Sequence, residues 1–349
     1  MSNKKNSNNK LTFVDQSPVF KFINPNDNDK LSEMSGFDLQ DLIILIDEYY
    51  LELREKLGLK KDITFGLELE FENAMINRIS EKLKENFPNG EWKMVDDSSL
   101  HNGAEINSPI LIDNEKNWQD LDKVCQIVSK SAKIGKNSGG HIHIGTQTLG
   151  KNKQSWLNFI KMWSVYENII FRFTYGEFLT SRSSILEYAE PVSKSFWKAY
   201  KNLNFDGVTS KKIISLLSHE KYQAVNLENV SYNCNKIAWR NTIEFRSPNG
   251  TLNSVIWQNN VNFFVHFLKY CKGKSFDDDL VEKRHRLNKF QNLKWYDEIY
   301  LEQTLELCDM IFTNNFDKVY FLRQYLKSFQ VYKKDAVYPQ KHILTKNKN

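Results

Sequence analysis

Cysteine is scarce in this sequence. Cys125, Cys234, Cys271 and Cys308 are the only four in 349 residues. No two form a C-x-x-C pair, which argues against a disulfide framework or a zinc cluster and for a reducing cytoplasm. Each reads more simply as a small buried hydrophobe or a chance surface residue. Long apolar runs are missing too. No stretch approaches the roughly 20 apolar residues of a membrane span. The first ten residues, Met1 to Lys10, are polar after the initial Met, have no apolar core and do not read as a signal peptide. A soluble cytoplasmic protein that does not engage a membrane is the expectation. Nor is there a strong excess of one charge: 48 Lys+Arg against 43 Asp+Glu leave a net +5. That mild balance, with no long Lys/Arg run in the body of the chain, suits an anion site and speaks against nucleic-acid binding. Internal repeats are absent, and so is a Walker A loop, because no Lys-Ser/Thr follows the glycines at 135–140.

What is present is ample material for a core, with 40% hydrophobic and 13% aromatic residues. The length is large for one domain, though an insertion-rich catalytic domain can reach it. Residues 1–10 and 343–349 read as disordered tails. Between them, Asp38–Gly58 reads as an amphipathic helix closed by glycine. A strand at Thr64–Glu72 is followed by a helix near Ile76–Asn86. Strands at Trp92–Val95 and Ala104–Ile110 read as a hairpin, with Asn102-Gly103 as a turn signal. Helices are expected at Glu115–Ile134, Lys153–Tyr175 and near Ser210–His219, and strands at His141–Gly145 and Asn241–Ser247. Helices dominate from Ser254 to about Phe329. Strands and helices in this order imply an α+β fold with a largely antiparallel sheet.

The strand at Phe65–Glu72 carries the chemistry. Alternate side chains of a strand share a face. Phe65, Leu67, Leu69 and Phe71 therefore point to a core, while Gly66, Glu68, Glu70 and Glu72 point the other way. Neighbouring carboxylates on that face stand about 6.5–7 Å apart and repel by roughly 2 kcal/mol per pair at an effective dielectric of about 20. Solvation, basic cross-strand partners or divalent cations could each offset this. Three further strands repeat the design. In His141-Ile-His-Ile-Gly145 two imidazoles share one face, which suits a metal but equally two hydrogen-bonded polar histidines. In Asn241–Ser247, Glu244 and Arg246 share a face, either as a surface ion pair or as part of a site. Glu105 lies on Ala104–Asn107, after the acidic turn Asp96-Asp97-Ser98. Oxygen-rich faces with an imidazole suit Mg²⁺ or Mn²⁺ better than zinc, and an Arg among carboxylates suits an anionic or phosphoryl-bearing substrate. The loop Gly135–Gly140 offers backbone N–H groups that could approach a phosphate.

The ordered set of segments resembles the amidoligase branch of the glutamine synthetase and glutamate–cysteine ligase superfamily. The matching pieces are Phe65–Phe71, Asp96–Pro109, Ser138–Gly145, Arg182 with Tyr188 and Pro191, Lys221–Leu227 and Thr242–Leu252. The resemblance covers about residues 61–260. It implies a catalytic core there; the flanking segments carry none of its motifs and read from their pattern as a helix-bearing N-terminal extension at 11–60 and a helical C-terminal region at 261–342 packed on the core. It also implies a curved, mainly antiparallel, glutamine-synthetase-like sheet with helices on its outer face. The implied activity is an ATP-dependent carboxylate–amine ligase working through an acyl phosphate, with small-molecule or peptide carboxylate and amine substrates. By motif, Glu68, Glu70, Glu105, His141 and Glu244 would hold Mg²⁺ (or Mn²⁺). Glu105 and Arg246 would be catalytic, and His143, Arg182, Arg240, Arg246 and Asn249 would contact ATP or substrate. Glu72 has no assigned duty and reads as a rim residue. Asp96-Asp97-Ser98 departs from the Asp-Gly-Ser of many relatives. Two rival readings are a metal-dependent hydrolase built on His141 and His143, and a non-catalytic nucleotide-binding or structural protein on the same fold.

Overall fold

The structure is a computed structural model that describes residues 16–202, 209–217, 222–230, 241–273, 278–287 and 299–327. Arg240, His219, Lys221, Cys234 and both expected tails lie outside the described residues. In chain order the helices are α1 (Pro18–Phe22), α2 (Gly36–Glu48), α3 (Ile76–Asn86), α4 (Glu115–Ser129), α5 (Lys153–Thr174), α6 (Ile185–Tyr188), α7 (Ser193–Asn202), α8 (Ser210–Leu217), α9 (Ser254–Gly273), α10 (Asp278–Leu287), α11 (Leu301–Ile311) and α12 (Asn315–Leu326). The strands are β1 (Phe65–Phe71), β2 (Lys93–Val95), β3 (Ala104–Asn107), β4 (Gly140–Gly145), β5 (Val225–Asn226) and β6 (Thr242–Phe245).

The six strands form one open sheet in the order β2-β3-β1-β4-β6-β5, and every pairing is antiparallel. The fold is thus mixed α and β on an antiparallel sheet, as the strand pattern implied. The period-two alternation reads correctly: Phe65, Leu67, Leu69, Phe71, Ile142, Ile144, Ile243 and Phe245 are all buried. Helices cover that apolar face. Trp118 of α4 stacks on Phe65 at 5.0 Å, while Trp163 of α5 and Phe264 of α9 stack on Phe245 at 5.8 and 3.9 Å. Burying one such ring is worth about 2–3 kcal/mol, so this face anchors the sheet. Helix α5 is buried on all sides from Ser155 to Thr174, its polar residues Lys161, Glu167 and Arg172 included. It packs against α7, α9 and α12.

Two element boundaries differ from the sequence reading for physical reasons. The helix expected over Asp38–Gly58 ends at Glu48. Beyond it the backbone is taken by side chains of distant elements. Arg323 donates to the Tyr49 carbonyl and Tyr320 to that of Glu52; Arg54 N–H donates to Gln258, and Leu57 and Leu59 N–H to Asp113. These partners replace the i→i−4 ladder, which propensity alone cannot foresee. Gly58, at φ +78°, closes this extended strap rather than a helix. The hairpin β2–β3 exists, but an eight-residue loop at 96–103 joins it, with Asn102 in the left-handed region at φ 46°. The N-terminal segment is knit to the C-terminal helices: Asp309 of α11 accepts from Leu31 N–H and Ser32 N–H at 3.1 and 2.8 Å. Among the described residues no helix is long and apolar enough to cross a membrane. Cys125, Cys271 and Cys308 are free and buried.

Candidate metal centre

The face of the sheet opposite the helices gathers the acids. Register does this directly: Glu70 pairs with Glu105, Glu68 with His141 and His143 with Glu244. Because these residues sit at like phases of neighbouring strands, their side chains rise from one face and converge.

At the centre, Glu68 accepts from both imidazoles. Its Oε2 lies 2.7 Å from His141 Nδ1 and its Oε1 2.8 Å from His143 Nε2. Burial disfavours the charged Glu68, but these two hydrogen bonds outweigh it and hold the carboxyl well below the usual carboxylate range. Burial likewise lowers His143, yet the Glu68 contact prevails and raises it. His143 therefore faces the site as well as bracing its strand. His141 is buried; its Nε2 lies 3.3 Å from Glu70 Oε1 but makes no hydrogen bond.

The acidic end is formed by Glu70, Glu105 and Asp97. Glu105 has its carboxyl pushed up to about 7, first by burial and then by the nearby Glu68. Asp97, on the 96–103 loop, accepts from Ser99 N–H and Oγ at 2.8 and 2.7 Å, which fixes its side chain. The other end is basic. Arg246 donates through Nη1 to Glu244 Oε1 at 2.5 Å and through Nε to the Tyr188 carbonyl at 3.0 Å. Asn226 donates to Glu244 Oε2 at 2.8 Å, so both oxygens of Glu244 are oriented.

Three overlapping groups bring one ligand atom per residue within 4.8 Å of one another: Glu68/His143/Glu244, Glu68/Glu105/His141 and Glu70/Asp97/Glu105. All five residues expected to hold a metal from the sequence belong to these groups. His143, expected as a substrate contact, joins them, and so does Asp97, which sequence reasoning met only as a departure from Asp-Gly-Ser. The residues present fit a hard divalent cation. The donors are mostly carboxylate oxygens, the acids crowd one another, and a buried imidazole nitrogen is left without a hydrogen bond.

Other expected residues take different places. Arg182 is buried; it donates to the Arg246 carbonyl at 3.2 Å and lies against Gly139, where a Cβ would sit 1.5 Å from its Nη1. Asn249 accepts from Arg182 N–H at 3.0 Å and donates to the Thr180 carbonyl at 3.1 Å, so its amide ties together the backbone behind the site. Glu72 is not at the rim. It is 2% exposed and accepts from His101 N–H at 2.8 Å and Asn137 N–H at 3.4 Å. It pins two loops beneath the surface.

The N–H groups of Gly135, Asn137, Ser138, Gly139 and Gly140 all donate inside the protein, that of Gly139 to Glu70 at 2.5 Å. The loop is thus a support for the acids and offers none of these N–H groups to a phosphate. Asn226 carried no chemical signal in the sequence beyond its motif, since its strand is only two residues long.

A family model described as "putative amidoligase enzyme" matches residues 61–268, more than half of the chain. A search of curated proteins finds no match.

Proposed function

The chain belongs to the amidoligase family, and from that premise we propose that it joins a carboxylate to an amine at the expense of ATP, with Mg²⁺ or Mn²⁺, on a glutamine-synthetase-like catalytic sheet. The observation that carries this is the run of three overlapping carboxylate groups, two of them with a histidine, ending at an arginine held against Glu244.

Making an amide in water is uphill, and coupling to ATP overcomes this. A carboxylate oxygen attacks the γ-phosphorus and releases ADP. The amine then attacks the acyl carbon of the acyl phosphate, releases phosphate and loses a proton. Glu68, Glu70, Asp97, Glu105, His141, His143 and Glu244 would hold the cations. Bound there, Mg²⁺ or Mn²⁺ neutralises phosphoryl charge and aligns the reacting groups. Arg246 meets an anion at the other end, and Asn226 keeps Glu244 turned toward the group it shares with Glu68 and His143. Glu105 has two oxygens, so one can serve a cation while the other takes the amine proton.

An ADP-release screen over carboxylate and amine pairs, with Mg²⁺ or Mn²⁺, tests this. Glu244→Gln should fold and bind no better than weakly to the metal–nucleotide complex, with ADP release at least about 100-fold slower, in the range of lost electrostatic stabilisation. Normal turnover in that variant would remove the assignment. The hydrolase reading differs in one respect: it requires turnover without nucleotide.

A further inference from the structure

Glu72 follows β1 and shares the face of Glu68 and Glu70, yet it belongs to none of the three metal groups. It is buried, and the hydrogen bonds to its carboxyl come from two loops. Oε1 accepts from His101 N–H at 2.8 Å and from Asn137 Nδ2 at 3.4 Å, and Oε2 from Asn137 N–H at 3.4 Å. Each loop serves the same metal group. The 96–103 loop carries Asp97, and it is fastened beside Glu72 because Asn73 and Ala74 N–H donate to the His101 and Asn102 carbonyls at 3.2 and 2.9 Å. The 135–139 loop carries Gly139, whose N–H donates to Glu70 Oε2 at 2.5 Å. Gly135 and Ser138 close that loop into one turn: Gly135 N–H donates to Ser138 Oγ at 3.1 Å, and Ser138 N–H to the Gly135 carbonyl at 3.3 Å. A hold on Asn137 is therefore a hold on Gly139. The carboxyl of Glu72 occupies the space a side chain would need at Gly135, where a Cβ would sit 1.5 Å from Oε2.

We propose that Glu72 is a positioning residue for the cation held by Glu70, Asp97 and Glu105, and that its latch makes this end of the centre select Mg²⁺ over Ca²⁺. The cation itself comes from the ligase reading. A carboxylate suits the latch because it only accepts: both oxygens can take N–H groups, one from each loop. Glutamine would turn its own NH₂ toward one of those donors, and burial leaves that donor no water to turn to. Rigidity is what selects the ion. Mg²⁺ demands near-octahedral ligands at about 2.0–2.1 Å, whereas Ca²⁺ accepts irregular sets at about 2.3–2.6 Å. Asp97 and Glu70 stand on the two segments that Glu72 ties together, so their separation is set before an ion arrives. Freed of the latch, the pair still offers its charge, which serves Ca²⁺, but no longer the fixed spacing that Mg²⁺ requires.

The test is titration calorimetry of the full chain with Mg²⁺ and, separately, with Ca²⁺, in the absence of nucleotide. Two variants disturb the latch independently. Glu72→Gln removes the charge, and Gly135→Ala keeps the charge but displaces the carboxyl. Each should weaken Mg²⁺ by about 10–100-fold, the usual cost of losing a residue that orients metal ligands, and should weaken Ca²⁺ by less, so the Mg²⁺/Ca²⁺ affinity ratio falls. A general loss of structure would lower both ions alike. Combined with Asp97→Asn, the Glu72→Gln loss should not multiply, since Glu72 acts through that ligand. Unchanged Mg²⁺ affinity in both variants, equal losses for the two ions, or losses that multiply with Asp97→Asn would overturn the proposal. So would normal Mg²⁺ binding by Gly135→Ala beside weak binding by Glu72→Gln, because charge alone would then explain the effect. A wild-type chain that binds neither ion would overturn it together with the cation of the ligase reading. The predicted losses in a chain that releases no ADP would uphold the latch and remove only the ligase reading.

Discussion

Replacing Glu68 by glutamine should cost stability at pH 6 and almost none at pH 8. The carboxylate accepts from His141 and His143 at 2.7 and 2.8 Å. A hydrogen bond to a charged partner contributes about 1.5–3 kcal/mol and a neutral one about 0.5–1.5. Glutamine therefore loses roughly 2 kcal/mol over the two bonds. Repulsion acts in the opposite sense. The ligand atoms of Glu68 and Glu105 lie within 4.8 Å, where two charges repel by about 3 kcal/mol at an effective dielectric near 20, and by roughly 2 after screening in an open cleft.

That repulsion exists only while Glu105 is ionised, and burial together with Glu68 pushes its carboxyl up to about 7. At pH 8 the relief and the loss cancel. At pH 6 Glu105 is largely protonated, the relief is gone and the loss of about 2 kcal/mol remains. His143 is more fully charged at pH 6 and acts in the same direction. The Glu68 carboxyl itself is held well below the usual range, so its ionic contribution stays present across this window and fades only in strong acid. Urea unfolding in a chelator at the two pH values measures the difference. An equal loss at both, or a larger loss at pH 8, would refute the reasoning.

Three further outcomes follow from the same geometry. Mg²⁺ affinity, read by titration calorimetry, should rise as pH increases toward 7 and level off above it, with proton release below 7, because Glu105 must lose its proton to bind; a flat profile would contradict the crowding of these acids. Gly139→Ala should lower stability by about 1–3 kcal/mol through overpacking against Arg182, and the double variant with Arg182→Ala should lose less than the sum of the two single losses in thermal melts. Glu177, half-buried and hydrogen-bonded by Thr251 at 2.7 Å, has its carboxyl pushed up to about 7 by desolvation. A raised acid favours the fold at low pH and loses that contribution as pH rises through 7, so Glu177→Gln should stabilise by about 1–3 kcal/mol at pH 8 and by little at pH 5.

The sheet was legible because alternation has one structural cause. A strand with Leu67 and Leu69 on one face must put Glu68 and Glu70 on the other, and four such strands gave the site its walls. Phase shows which face a side chain takes but not how deep it lies. Glu72 shares the face of Glu68 and Glu70, yet the loops at 97–103 and 135–139 close over it, and those loops have no periodicity to read. The same limit hid the role of Gly135–Gly140, whose N–H groups are consumed by Glu70, Glu72 and neighbouring loops. Residues 49–57 look helical by composition and are straightened by Gln258, Asp113 and Tyr320, partners more than 50 residues away. Asp97 and Asn226 lie in segments that the family resemblance covers, but their place beside Glu70 and Glu244 depends on distant strands and has no local signature.

The most direct measurement is ADP release by the full chain with Mg²⁺, varying one partner at a time. The account predicts release only when nucleotide, a carboxylate and an amine are all present, with Glu244→Gln inactive. Product formation without nucleotide, or ADP release indifferent to both carboxylate and Glu244, would contradict it.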